Sequence, residues 1–130
     1  MYKNEHFVPH GQCSMVCVGG HVQSGGFSVY LGRSFGWFVD HCVSLKILIA
    51  PKDKDSDPEL VTVRRPIKGV TSQKNDDMWF GIIGGSPGSF GIVTQATFKA
   101  LRDEDFRDAR TEIILQPYSK EGYKLWLEFF

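Results

Sequence analysis

Most of the fourteen glycines in this 130-residue chain fall in two segments, Gly11–Gly36 and Gly81–Gly91, and that clustering constrains the fold more than any other feature. Glycine spread through a sequence serves chain reversal. Glycine concentrated in two places brings backbone close to something, because the missing Cβ removes the steric limit on approach. Spacing alone leaves two uses open: tight turns, or loops whose exposed N–H groups and absent Cβ atoms hold a phosphate or a flat ring. Neither segment is a Walker loop, since no G-K-[ST] occurs, and neither sets G-x-G-x-x-G behind a strand as a classical dinucleotide fold requires.

Between and after these segments the sequence alternates strand and helix patterns. "VSLKILI" sets Val43, Leu45, Ile47 and Ile49 on one side, the period of a half-buried strand. A charged, proline-bounded run follows, and "LVTVR", Leu60 to Arg64, returns as a second strand, so the pair reads as a hairpin with a solvated tip. "NDDMWFGII" predicts a short helix with Asp76 as N-cap, carrying Met78, Trp79, Ile82 and Ile83 and stopped by Gly84 and Gly85. Ile92 to Leu101 reads as a strand with Ile92, Ala96, Phe98 and Ala100 on one face, and 111–116, "TEIILQ", as another. Ser119 caps a final helix on which Tyr123, Trp126, Leu127 and Phe130 form an apolar face. That face calls for a cover, either a further polypeptide or a second copy of the chain. Trp37, Phe38, Trp79, Phe80 and Phe98 are expected in the core, because buried aromatics dominate core energetics.

A formal net charge of zero gives no reason to expect nucleic acid or an anionic membrane as partner, and points instead to a small molecule or a structural role. Three cysteines, Cys13, Cys17 and Cys42, cannot all pair internally, so at least one thiol is free or modified. No apolar run approaches the roughly 20 residues of a membrane span, and "MYKNEHFVPH" lacks the basic start and apolar core of a secretory signal. The compartment stays open.

Two constellations suggest chemistry and then lose it. His6, His10, Cys13 and Cys17 have zinc-like spacing, but they run directly into "VGGH", whose glycines have no role in a structural zinc site. "GGSPG" fits the G-x-S-x-G nucleophile elbow around Ser86. The elbow needs a strand before and a helix after, the reverse of the order read here, and Pro87 removes an N–H from the oxyanion hole.

Two long blocks carry a resemblance. "GQCSMVCVGGHVQSGGFSVYLGRSFGWFVDHCVSL" resembles the G-x-C-x-x-V-G-x-G-G-H-x-x-G-G-G-Y-G block of FAD-linked oxidoreductases of the p-cresol methylhydroxylase type, a group that includes berberine bridge enzyme-like and oligosaccharide oxidases. "DDMWFGIIGGSPGSFGIVTQATFKAL" is similar to the D-L-F-W-A-I-R-G-G-G-G-G-S-F-G-V-V-T block of the same family. The resemblance implies an α+β fold: residues 11–101 as the second subdomain of such a FAD-binding domain, with a small mixed or antiparallel sheet and flanking helices, and 102–130 as a connector with the first strand and helix of a substrate domain. It implies FAD as cofactor, a small-molecule substrate, and oxidation of an alcohol, sugar or secondary metabolite by hydride transfer to flavin. The flavin-linking histidine of the first subdomain and the catalytic base of the substrate domain would lie outside these residues. The alternative is a truncated, non-catalytic relative acting as an interaction protein.

By the same resemblance, Cys13 falls on the cysteine that forms a thioether to the flavin in bicovalent members. Gly19 and Gly20 match the pair that lets backbone pass close to the cofactor, and His21 the histidine near the pyrimidine end of the ring. Gly25 and Gly26 match the next glycine run, Asp40 an acid after it, and Ile92 the position where backbone meets the adenine end. Departures from the pattern are Cys17 for glycine, Ser28 for glycine, His41 for asparagine, Ile83 for arginine, and Ser86-Pro87 for two glycines.

Overall fold

The computed structural model describes residues 5–85, 87–106 and 119–128, for residues 106, 125 and 126 without their side chains. Its order is β1 (His6–Phe7), α1 (Val18–Gln23), α2 (Gly32–Phe35), a 3-10 turn at Phe38–His41, β2 (Cys42–Ile49), β3 (Glu59–Arg64), α3 (Gln73–Ile82), β4 (Ile92–Phe98), β5 (Leu101–Arg102), a second 3-10 turn at Asp103–Phe106, and α4 (Lys120–Glu128). The fold is α+β. A three-stranded antiparallel sheet runs β3-β2-β4, and β1 pairs with β5 in a separate two-stranded antiparallel sheet.

The expected hairpin is β2–β3, in register from Ser44↔Arg64 to Ile49↔Glu59 with an exposed tip. The inward face of β2 differs from simple alternation. Pairing with β4 steps from Cys42↔Phe98 to Ser44↔Thr97, so Val43 is the extra residue of a bulge and Cys42 takes the buried place expected of Val43, which is exposed. A second shift, between Lys46↔Gln95 and Ile47↔Val93, leaves Thr94 unpaired on β4 and turns Val93, not Ile92, toward the core. Ile92 is exposed, and β4 ends at Phe98, which leaves Ala100 outside it.

The core lies on one face of the sheet. Leu45, Ile47 and Val63 from the strands meet Val22 of α1, Phe38 of the first 3-10 turn, and Trp79 and Ile82 of α3. Each such side chain contributes roughly 1.5–3 kcal/mol by leaving water. Phe98 packs against this cluster, with its ring centroid 4.4 Å from that of Phe38. Trp37 and Phe80 do not join it: they are 48% and 80% exposed, Phe80 because it lies on the side of α3 away from the face that buries Trp79 and Ile82.

α3 begins earlier than expected. Ser72, not Asp76, is the N-cap, and its Oγ accepts the Asn75 N–H at 3.3 Å. Asn75 then clamps the end of β3, accepting from the Arg64 N–H at 2.8 Å and donating to the Arg64 carbonyl at 2.9 Å. The helix expected after Ser119 is α4, with Tyr123 and Leu127 exposed. The strand expected at 111–116 and Phe130 lie outside the described residues. Among the described residues no helix is long and apolar enough to cross a membrane.

Candidate functional site

The first glycine segment is not all loop. A turn closed by the Val16 N–H on the Cys13 carbonyl (3.2 Å) leads to Cys17, whose extended backbone opens α1. The start of this helix has little local support: its N-cap has no side-chain hydrogen bond, and Gly19 and Gly20 are poor helix formers. It forms because Val22 is fully buried and because Ser24 closes its end, with both N–H and Oγ on the Gly20 carbonyl. Cys13, Cys17, Gly19 and Gly20 are consequently all exposed along one continuous stretch.

The glycines then divide by what their missing Cβ would meet. At Gly26, φ is +76° and a Cβ would stand 2.4 Å from the Phe38 Cβ; at Gly91 it would stand 2.3 Å from the Leu48 carbonyl oxygen. At Gly25, with φ of +94°, a Cβ would stand 3.0 Å from the Trp37 ring. These residues are glycine because the protein's own interior fills the space. Gly19 and Gly20 are different: a Cβ there meets nothing within 4 Å, and neither has a left-handed φ. Among the described residues no contact gives a reason for glycine at these two positions.

His21 faces inward from the same helix. Its ring stacks on Phe38 (5.6 Å, 27°) and lies 5.1 Å from His10, which is itself edge-on to Phe38. The Nε2 atoms of both histidines are buried without a hydrogen-bond partner. Burial pulls the His21 pKa below its ordinary value of 6.5, and the facing His10 adds to the shift. Cys42 is buried and its thiol is pushed up to about 11 by desolvation, whereas Cys13 and Cys17 are exposed, so thiol chemistry belongs to those two.

Asp40 is engaged in holding a turn: its Oδ2 accepts the Trp37 N–H at 2.8 Å, at the start of the 3-10 turn. Ile92 sits at the start of β4, paired with Leu48 on the sheet face opposite the core, so its side chain does not join Cys13 and the α1 glycines. Cys13, Gly19 and Gly20 are thus exposed, Gly26 lies against His21 and Phe38, Gly25 lies against Trp37, Asp40 holds the turn at Trp37, and Ile92 lies on the sheet face opposite the core.

Sequence reasoning passed over Gln23, which ties the two glycine segments together. Its main-chain carbonyl accepts the Gly84 N–H (2.6 Å) and its Oε1 the Gly88 N–H (3.3 Å). Those two N–H groups are thereby withdrawn from any phosphate, and no residue pattern announces a contact across 65 positions. The shallow cleft between β3 and α3, lined by Val61, Thr62, Ser72, Lys74 and Met78, lies apart from all of these residues. Among the described residues no group of three or more His, Cys, Asp or Glu could hold a metal ion, and His6, His10, Cys13 and Cys17 do not form one. Ser86 lies outside the described residues.

No protein-family profile matches this sequence. Over 102 residues, 78% of the chain, it is 32% identical to the FAD-linked oxidoreductase easE of Epichloe festucae var. lolii, and over 88 residues, 68% of the chain, 36% identical to berberine bridge enzyme-like 12 of Arabidopsis thaliana. The fold is similar to that of GilR, solved with pregilvocarcin and described as the oxidoreductase of the terminal step of gilvocarcin biosynthesis, with a TM-score of 0.63 and 30% identity over 75% of the chain. The chain spans 15% and 14% of the length of the two curated relatives and 18% of the solved chain.

Proposed function

We propose that this chain, homologous over most of its length to a segment of FAD-linked oxidoreductases, supplies one wall of a FAD site in a protein that oxidises an alcohol, a sugar or a secondary metabolite. Residues 11–101 are the FAD-binding part, and 102–130 begin the part that receives substrate. When bound, FAD supplies the acceptor for a hydride from the substrate.

One observation carries this reading. Two adjacent exposed glycines on a helix, each with open space where its Cβ would be, cost the helix stability and meet none of the described residues there. A flat group laid against α1 gives them a use, because backbone without Cβ permits contact at van der Waals distance. The exposed Cys13 thiol, upstream of α1, would then be the covalent attachment point: its thiolate would add to the oxidised flavin ring, the ring carbon would lose its hydrogen as a proton, and the two electrons left on the flavin would pass to dioxygen. His21 supports the wall from beneath and, held neutral by burial, adds no charge to it. Gly25, Gly26 and Asp40 shape the wall through Trp37 and Phe38. A further polypeptide or a second copy of the chain covers the exposed Tyr123 and Leu127 of α4.

The test is the visible spectrum of the purified chain after incubation with FAD, before and after acid precipitation. Flavin absorption that stays with the precipitate, and is lost in Cys13→Ala, is expected. A colourless chain that takes up no FAD would sink the reading in favour of a non-catalytic interaction protein.

A further inference from the structure

Gln23, half-buried at the end of α1, has one polar atom on each glycine segment. Its Nε2 donates to the Gly19 carbonyl at 2.9 Å, and its Oε1 accepts the Gly88 N–H at 3.3 Å. The two bonds agree on the orientation of the amide, since only the nitrogen can donate to a carbonyl and only the oxygen can accept from an N–H. The ends of the second segment are fixed by other means. Gly91 lies tight against the Leu48 carbonyl, and the chain before Gly84 is still tied to α3 by the Ile83 N–H on the Trp79 carbonyl. Within the segment, Gly84 and Gly88 have φ near +80° and a Cβ at either meets nothing within 4 Å, whereas a Cβ at Gly85 would stand 2.6 Å from the Gly81 carbonyl oxygen and the Phe90 ring lies against Gly81. Among the described residues, the hydrogen bonds to Gln23 join this loop directly to α1, the helix that carries Gly19 and Gly20.

We infer that Gln23 is a positioning residue for the cofactor-facing surface, acting by holding the Gly84–Gly91 loop in register with α1; the role rests on the FAD reading above. Gln23→Met keeps the length and helix preference of the side chain and removes both side-chain bonds, while the main-chain bond to Gly84 survives. Gln23→Glu keeps the acceptor for Gly88 and loses the donor to Gly19. In the cofactor-free chain, exchange of the Gly88 amide should quicken about tenfold in Gln23→Met and remain near the parental rate in Gln23→Glu. The FAD dissociation constant should rise by about tenfold in Gln23→Met and recover partly in Gln23→Glu, a separation that general destabilisation would not produce. A parent chain that takes up no FAD overturns the FAD reading and this role together. A parent that binds FAD, with Gln23→Met equal to it in affinity or in Gly88 exchange, overturns the positioning role alone.

Discussion

Replacing Gly19 and Gly20 together by alanine separates the needs of the fold from those of a ligand. Glycine within a helix costs about 0.8–1.0 kcal/mol relative to alanine, and roughly half of that is expected in the first turn of so short a helix. A Cβ at either position meets nothing within 4 Å, so no clash offsets the gain. The double variant should therefore be more stable than the parent by about 1 kcal/mol, a rise of roughly 4 °C in melting temperature. The same two methyl groups stand where the flat ring is proposed to lie, and overpacking of that kind costs about 1–3 kcal/mol, so FAD affinity should fall by about ten- to a hundredfold. Thermal denaturation followed by circular dichroism gives the first quantity, and quenching of flavin fluorescence on titration gives the second. Gly26→Ala is the contrast: its new Cβ would lie 2.4 Å from the Phe38 Cβ at a left-handed φ, and it should destabilise by more than about 1 kcal/mol. A double variant less stable than the parent would mean that something in the fold occupies the space beside α1. One more stable that binds FAD as the parent does would remove the reason offered for the two glycines.

Because the folded-state pKa of His21 is lowered, the unfolded chain binds the extra proton first, and stability should fall as pH drops below about 6.5 while staying level above it. Melting temperatures from about pH 7.5 to about pH 5 should show a steeper acid loss in the parent than in His21→Phe, and parallel curves would count against a buried neutral imidazole. Alkylation of the native chain with iodoacetamide, read by mass, should modify Cys13 and Cys17 quickly and leave Cys42, whose pKa is about 11 and whose side chain is buried, until the chain unfolds. Ser72→Ala should cost about 1 kcal/mol by denaturant unfolding, and Asp76→Ala distinctly less, since only Ser72 caps α3.

How much of this was legible in the sequence follows the range of the forces involved. The β2–β3 hairpin and α4 were readable because period and turn chemistry act over a few residues. The start of α3 was misplaced because both Ser72 and Asp76 are cap-forming types, and only the packing of Trp79 and Ile82 decides which one the helix reaches. The bulges at Val43 and Thr94 were not readable, since each depends on which residue of a distant strand lies opposite, and they reverse the roles of Val43 and Ile92. α1 was hidden for the same reason: its sequence disfavours helix, and the burial of Val22 overrides that preference.

At the candidate site the division is similar. The sequence by itself determined that glycine is concentrated in two segments, that two cysteines accompany the first, and that both segments resemble those of a flavin-binding family, because residue identity and order carry that information directly. Only the tertiary structure decided which glycines the protein keeps for itself and which it leaves open. Gly26 and Gly91 are filled by Phe38 and the β2 backbone, whereas Gly19 and Gly20 face empty space, a distinction made by contacts between distant residues. The tie from Gln23 to Gly84 and Gly88 has the same origin, since a hydrogen bond depends on where two groups meet in space and not on their separation along the chain.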